Sequence, residues 1–113
     1  MPKITGPAKR LRIYLCEQDR RGGKPVYQEI VHKAKELGLA GATVFRGLMG
    51  YGANSIIHTV KIVDLSCDLP ILVEIIDSEE YVNKFLPYLD DVIKEGLIIM
   101  DDVEIIRYGP TPS

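Results

Sequence analysis

Leu69-Pro70-Ile71-Leu72-Val73-Glu74-Ile75-Ile76, followed at once by Asp77-Ser78-Glu79-Glu80, reads as a strand that runs directly into a helix. The first segment is apolar except for Pro70 at its start and Glu74 within it, the pattern of a strand covered on both faces and central in its sheet. Asp77 and Ser78 are both good helix caps, and Glu79 and Glu80 suit the positive end of the helix dipole. Val82, Phe85, Leu86, Leu89 and Ile93 then fall on one helical face. Pro87 cannot donate to the carbonyl of Asn83, so a kink or a restart is expected there, with Gly96 ending the element.

Working outward from this unit, Leu97 to Met100 reads as a short edge strand, Asp101-Asp102 as a turn, and Val103 to Tyr108 as the last strand. Upstream, Leu11, Ile13 and Leu15 alternate with Arg10, Arg12 and Tyr14, the period of two that marks a strand. Gln18 to Lys24 is a polar loop around Gly22-Gly23. A helix begins near Pro25, lines one face with Val26, Ile30, Val31, Ala34 and Leu37, can pair Glu29 with Lys33 on its other face, and stops at Gly38. Gly41 to Phe45 is β-branched and aromatic and reads as a strand. It leads into glycines at 47, 50 and 52, and Ala53 to Asp68 follows as an excursion of mixed period with some strand content.

The order strand, helix, strand, strand, helix, strand is the split pattern of an α+β, ferredoxin-like βαββαβ domain, an antiparallel sheet with both helices on one face. A single domain over residues 1–113 is expected, with flexible tails at 1–7 and 109–113. Leu72 and Ile76 lie opposite Ile71, Val73 and Ile75, and Tyr14 and Cys16 lie opposite the Leu and Ile set of their strand. The second sheet face is therefore apolar too, and on so small a chain its burial against further copies is the natural expectation.

Composition excludes several classes. The chain of 113 residues is 46% hydrophobic and 27% charged with a net charge of −2, which is ordinary for a globular domain and argues against a broad electrostatic grip on nucleic acid. No apolar run approaches the ~20 residues of a membrane helix, and no apolar stretch behind Met1 resembles a secretory signal, so a cytoplasmic location is expected. Cys16 and Cys67 read as reduced, buried thiols. Neither His32 nor His58 has a second ligand at metal-binding spacing, and no metal site is assigned. No nucleophile with a base, and no carboxylate pair at a recognisable spacing, points to an enzyme.

Some residues carry two readings. Gly47, Gly50 and Gly52 can permit a bulge and a tight turn, or can let the backbone approach a phosphate. Arg20, Arg21 and Lys24 can gather phosphate at the start of the first helix or can simply be solvated. Glu74, a carboxylate inside an apolar strand, needs either a ligand or a partner at an interface.

Gly41-Ala42-Thr43-Val44, Gly50-Tyr51-Gly52, Val73-Glu74-Ile75 and Ile105-Ile106-Arg107 together resemble the PII-like signalling proteins. Residues 8 to 109, with Ala42-Thr43-Val44-Phe45-Arg46-Gly47 and Gly50-Tyr51-Gly52, are similar to the uncharacterised bacterial and archaeal branch of that superfamily. The resemblance implies a homotrimer that packs its open sheet faces together and binds a small effector, such as ADP or another adenine nucleotide, in clefts between subunits. It implies Thr43, Glu74 and Ile76 near the adenine. It also implies Gly50, Tyr51, Gly52, Ala53 and Asn54 at the base of a mobile loop over residues 47–68, and Arg107 reaching across from a neighbouring subunit. The expected function is a non-catalytic sensor that relays effector binding to a protein target through that loop. The alternative is a trimeric metal-tolerance or assembly protein related to the copper-tolerance branch. Two departures stand out: Glu95-Gly96-Leu97-Ile98-Ile99-Met100-Asp101-Asp102 lacks the lysine of the nitrogen-regulatory phosphate loop, and one extra residue separates Thr43 from Gly50.

Overall fold

Alternation of apolar and polar side chains builds the sheet. In the computed structural model, which describes residues 5–51, 58–59 and 69–109, the sheet strands are β1 (Gly6–Cys16), β4 (Gly41–Arg46), β7 (Pro70–Asp77) and β8 (Leu97–Ile105). They pair antiparallel in the order β4-β7-β1-β8, so the Leu69–Ile76 segment is central as its composition implies. Two short ladders accompany the sheet, β2 (Arg20–Arg21) with β3 (Lys24–Pro25) and β5 (Met49–Gly50) with β6 (His58–Thr59). The helices are α1 (Val26–Glu36) and α2 (Glu79–Val92).

The helices and sheet share one core. Leu11, Ile13 and Leu15 of β1 and Ile71, Val73 and Ile75 of β7 pack with Ile30 and Ala34 of α1 and Val82, Phe85 and Leu89 of α2. Phe85, Leu11, Ile13 and Ile75 are fully buried, and removal of such a ring costs about 3–5 kcal/mol. This is the α+β, ferredoxin-like arrangement expected from the element order.

Local chemistry sets the boundaries. Gly22 and Gly23 both have positive φ, 59° and 80°, the conformation of a two-residue type I′ hairpin, so the polar Gln18–Lys24 loop is a miniature β2–β3 turn. Pro25 ends that hairpin in an extended conformation and caps α1 without a side-chain hydrogen bond. At the other end of α1, Gly38 takes φ 80° as the left-handed stop. Ser78 caps α2 by accepting from the Tyr81 amide at 3.4 Å. Asp77 is instead buried, accepting from the amides of Ala40 at 2.8 Å and Ser78 at 2.6 Å, and so ties the start of β4 to the start of α2.

Four sequence expectations are corrected. Asp101-Asp102 is not a turn: β8 runs unbroken through it and stops at Ile105, short of Tyr108. The reason lies across the strand, where Arg10 pairs with Asp101 and Lys9 with Asp102 and so neutralises both charges. Of the kink or restart expected at Pro87, the restart does not occur, since Pro87 sits inside the continuous α2, and the helix ends at Val92, before Gly96. Gly6 and Pro7, expected in a flexible tail, are instead part of β1 and pair with Ile105 and Glu104, while residues 1–4 lie outside the described residues. Glu29 does not pair with Lys33. It accepts from Tyr88 Oη at 2.7 Å and Arg21 Nη1 at 2.9 Å, while Lys33 reaches Glu36 at 3.3 Å.

Candidate functional site

Strand register alone arranges the open face. Opposite the helices, β4, β7, β1 and β8 align Phe45, Leu72, Tyr14 and Leu97 in one row. Thr43, Glu74, Arg12 and Ile99 form the next row, and Gly41, Ile76, Arg10 and Asp101 the third. Phe45, Tyr14 and Leu97 are 49%, 38% and 54% exposed, so the apolar row is open to solvent in the isolated protomer. Cys16, half-buried, lies on the same face opposite Pro70. Cys67 lies outside the described residues.

Three residues implied for the adenine therefore share one surface. Thr43 lies directly opposite Glu74, and Ile76 follows Glu74 on the same face of β7. Glu74 already has a partner, accepting from Arg12 Nε at 3.3 Å in a half-buried ion pair. Arg12 was not among the residues singled out, although its place beside Arg10 and Tyr14 in the period of two puts it on this face. Arg10 differs from Arg12 in making a two-pronged bond to Asp101, at 3.1 and 2.6 Å. That bond holds the Asp101 carboxyl below its ordinary range and raises Arg10.

The glycine segment sits at one end of β7. Gly47 donates to the carbonyl of Pro70 at 2.7 Å, and a Cβ placed at residue 47 would fall 2.6 Å from Pro70 Cγ. At Gly50 the same Pro70 atom would be 3.2 Å away. Close packing on Pro70 thus accounts for Gly47, and Pro70 is the partner that local sequence did not reveal. Tyr51 is 73% exposed beside Gly50, whereas Gly52, Ala53 and Asn54 lie outside the described residues.

Arg107 lies at the opposite end. Beyond β8 the exposed Arg107 precedes Tyr108, whose hydroxyl donates to the Ala40 carbonyl at 2.6 Å. Ala40 in turn is bound to Asp77. The Asp77 and Pro70 ends of β7 are seven residue steps apart, roughly 20 Å of strand. One chain therefore does not bring Arg107 to Gly47 and Gly50.

On the helical side, the β2–β3 hairpin is clasped by Arg21, which reaches Glu29 of α1 and, at 3.3 Å, Asp91 of α2. Arg21 is accordingly occupied, not poised for phosphate. Tyr88 holds the Glu29 carboxyl below its usual range, and burial together with that carboxylate raises the Tyr88 phenol. His32 is exposed, and no group of three or more His, Cys, Asp or Glu side chains among the described residues could hold a metal ion. No helix among the described residues is long and apolar enough to cross a membrane.

Residues 8–105 match the family DUF190, described as "Uncharacterized ACR". This chain belongs to DUF190. A UPF0166 protein of Aquifex aeolicus (strain VF5) is 45% identical over 98 residues, covering 87% of this chain and 92% of the relative. The UPF0166 protein MJ1524 of Methanocaldococcus jannaschii is 42% identical over 101 residues, 88% of this chain and 93% of its own length. Among solved structures, this DUF190 chain is similar to CPII, a nitrogen regulatory PII-like protein from Thiomonas intermedia K12 bound to ADP, AMP and bicarbonate. That match has a TM-score of 0.61 at 19% identity over 88% of both chains. A Thermus thermophilus structure gives 0.61 at 21% identity over 94% of both. At these identities the likeness establishes the PII-like fold.

Proposed function

We propose that this DUF190 chain is a non-catalytic PII-like sensor that binds an adenine nucleotide, ADP in the first instance, in clefts between copies of itself. The observation that carries the reading is the separation of the two halves of the candidate site. The glycine segment lies at the Pro70 end of β7, while Arg107 is tethered by Tyr108 at the Asp77 end, the end that also carries Ile76, with Thr43 between them opposite Glu74. A second copy supplies what one chain lacks, and the open apolar row of Phe45, Leu72, Tyr14 and Leu97 offers the surface on which copies pack, in a trimer as in the resembled family.

In this arrangement Thr43 and Ile76 flank the base, and backbone N–H groups from Gly50 to Asn54 approach the phosphates, where glycine lets the chain come close. Arg107 of a neighbouring copy adds a charge-assisted hydrogen bond. Glu74 was implied for the adenine, but its bond to Arg12 favours the interface reading for it. CPII was solved with ADP and AMP, which supports this ligand class for a chain of the same fold. Nucleotide then selects one arrangement of the 47–68 segment, and a protein target reads it. Hydrogen exchange with and without ADP tests the relay. Increased protection of amides from Gly47 to Asp68 at saturating ADP is the expected result, and unchanged protection would remove the mechanism.

A further inference from the structure

The centre of the open face holds an ion pair that the described residues of its own chain leave incomplete. Arg12 donates to Glu74 through Nε alone, at 3.3 Å, and the other side-chain bonds of both groups have no partner among the described residues. The neighbouring Arg10 and Asp101 on the same face use both prongs of guanidinium and carboxylate. The difference is one of position. Arg10 shares β1 with Arg12 but pairs with Asp101 on the edge strand β8, whereas Arg12 and Glu74 occupy the two central strands β1 and β7, flanked by Leu72, Tyr14 and Ile99.

A face with apolar surroundings and an open-valence ion pair at its middle is matched poorly by a purely apolar partner, because covering it strands charged donors and an acceptor. It is matched well by itself, since a second copy presents both a guanidinium with free N–H groups and a carboxylate with a free oxygen. We infer that Arg12 of one copy pairs with Glu74 of the next, so that these two residues set which chains assemble with this one. The inference rests on the assembly proposed above and reassigns Glu74 from the effector to the interface.

The test uses subunit exchange. The double variant R12E/E74R restores opposite charges within a chain and between like chains, but places like charges opposite one another wherever it meets a wild-type chain. Wild type and double variant, co-expressed with tags of different mass and examined by native mass spectrometry, are expected to sort into separate oligomers. Statistical mixing of the two chains would overturn the inference while leaving the assembly itself intact. A wild-type protein that is monomeric at micromolar concentration would instead overturn the assembly reading, and this inference with it. Should the double variant fail to fold, E74Q serves. It is expected to raise the concentration for half-dissociation by roughly tenfold or more with an unchanged circular dichroism spectrum. Dissociation of E74Q at the wild-type concentration would count against the pair.

Discussion

Asp77→Ala should be among the most damaging single polar substitutions in the chain. Asp77 is fully buried, and its carboxylate accepts from two amides, Ala40 N at 2.8 Å and Ser78 N at 2.6 Å. Truncation leaves both donors without that partner, and an unsatisfied buried donor costs about 1–3 kcal/mol. Both amides belong to half-buried residues, so water recovers part of the loss and each falls near the bottom of the range, about 1–1.5 kcal/mol, or about 2–3 kcal/mol in all. Against a total stability on the order of 5–15 kcal/mol that is a large fraction. At roughly 4 °C per kcal/mol it is a fall of about 8–12 °C in Tm. Asp77→Asn, which keeps one carbonyl oxygen but aims an NH2 group at the other donor, should fall between the two. The assay is thermal unfolding by circular dichroism at one fixed protein concentration, because assembly adds to apparent stability. A loss below ~1 kcal/mol for Asp77→Ala, or Asp77→Asn equal to wild type, would refute the reasoning.

Gly47→Ala places a Cβ 2.6 Å from Pro70 Cγ and should cost about 1–3 kcal/mol through overpacking; Gly47→Ala with Pro70→Ala should recover much of it in a denaturant titration. Asp101 has a depressed carboxyl pKa in the folded chain, so its contribution is present above the unfolded value, near 3.8, and is lost as pH falls through the folded value. Asp101→Asn should therefore be less stable than wild type at neutral pH, with the gap closing in acid; a gap independent of pH would contradict the Arg10–Asp101 account. Arg107→Ala should weaken ADP binding by about 1.5–3 kcal/mol in calorimetry if its guanidinium meets phosphate, and unchanged affinity would remove Arg107 from the site.

What could be read in advance was whatever local period encodes. The alternation of Leu11, Ile13 and Leu15, the apolar run from Ile71 to Ile76 and the face of Val82, Phe85 and Leu89 located the sheet, the second helix and the ferredoxin-like order. The misread elements depend on partners distant in sequence. Asp101-Asp102 has turn composition, yet Arg10 and Lys9, more than ninety residues upstream, hold it in a strand. Gly22-Gly23 closes strands too short to show any period. Gly47 carries two meanings until Pro70 is seen against it. Arg12 gains significance only through the β1–β7 register that sets it opposite Glu74. The candidate effector site was legible only by resemblance, since within one chain the glycine segment and Arg107 lie at opposite ends of β7 and no spacing relates them.

The central claim is that effector binding needs two copies. The most direct measurement is calorimetric titration of ADP into wild type and into Leu72→Glu. The introduced carboxylate lies in the apolar row of the open face and opposes packing between copies, while the protomer fold stays intact because Leu72 points away from the helical core. Wild type is expected to sediment as a trimer and bind ADP at one site per chain, and Leu72→Glu to sediment as a folded monomer without measurable ADP binding. A monomeric Leu72→Glu protein that binds ADP as tightly as wild type would contradict the account, as would a wild-type protein that takes up no ADP.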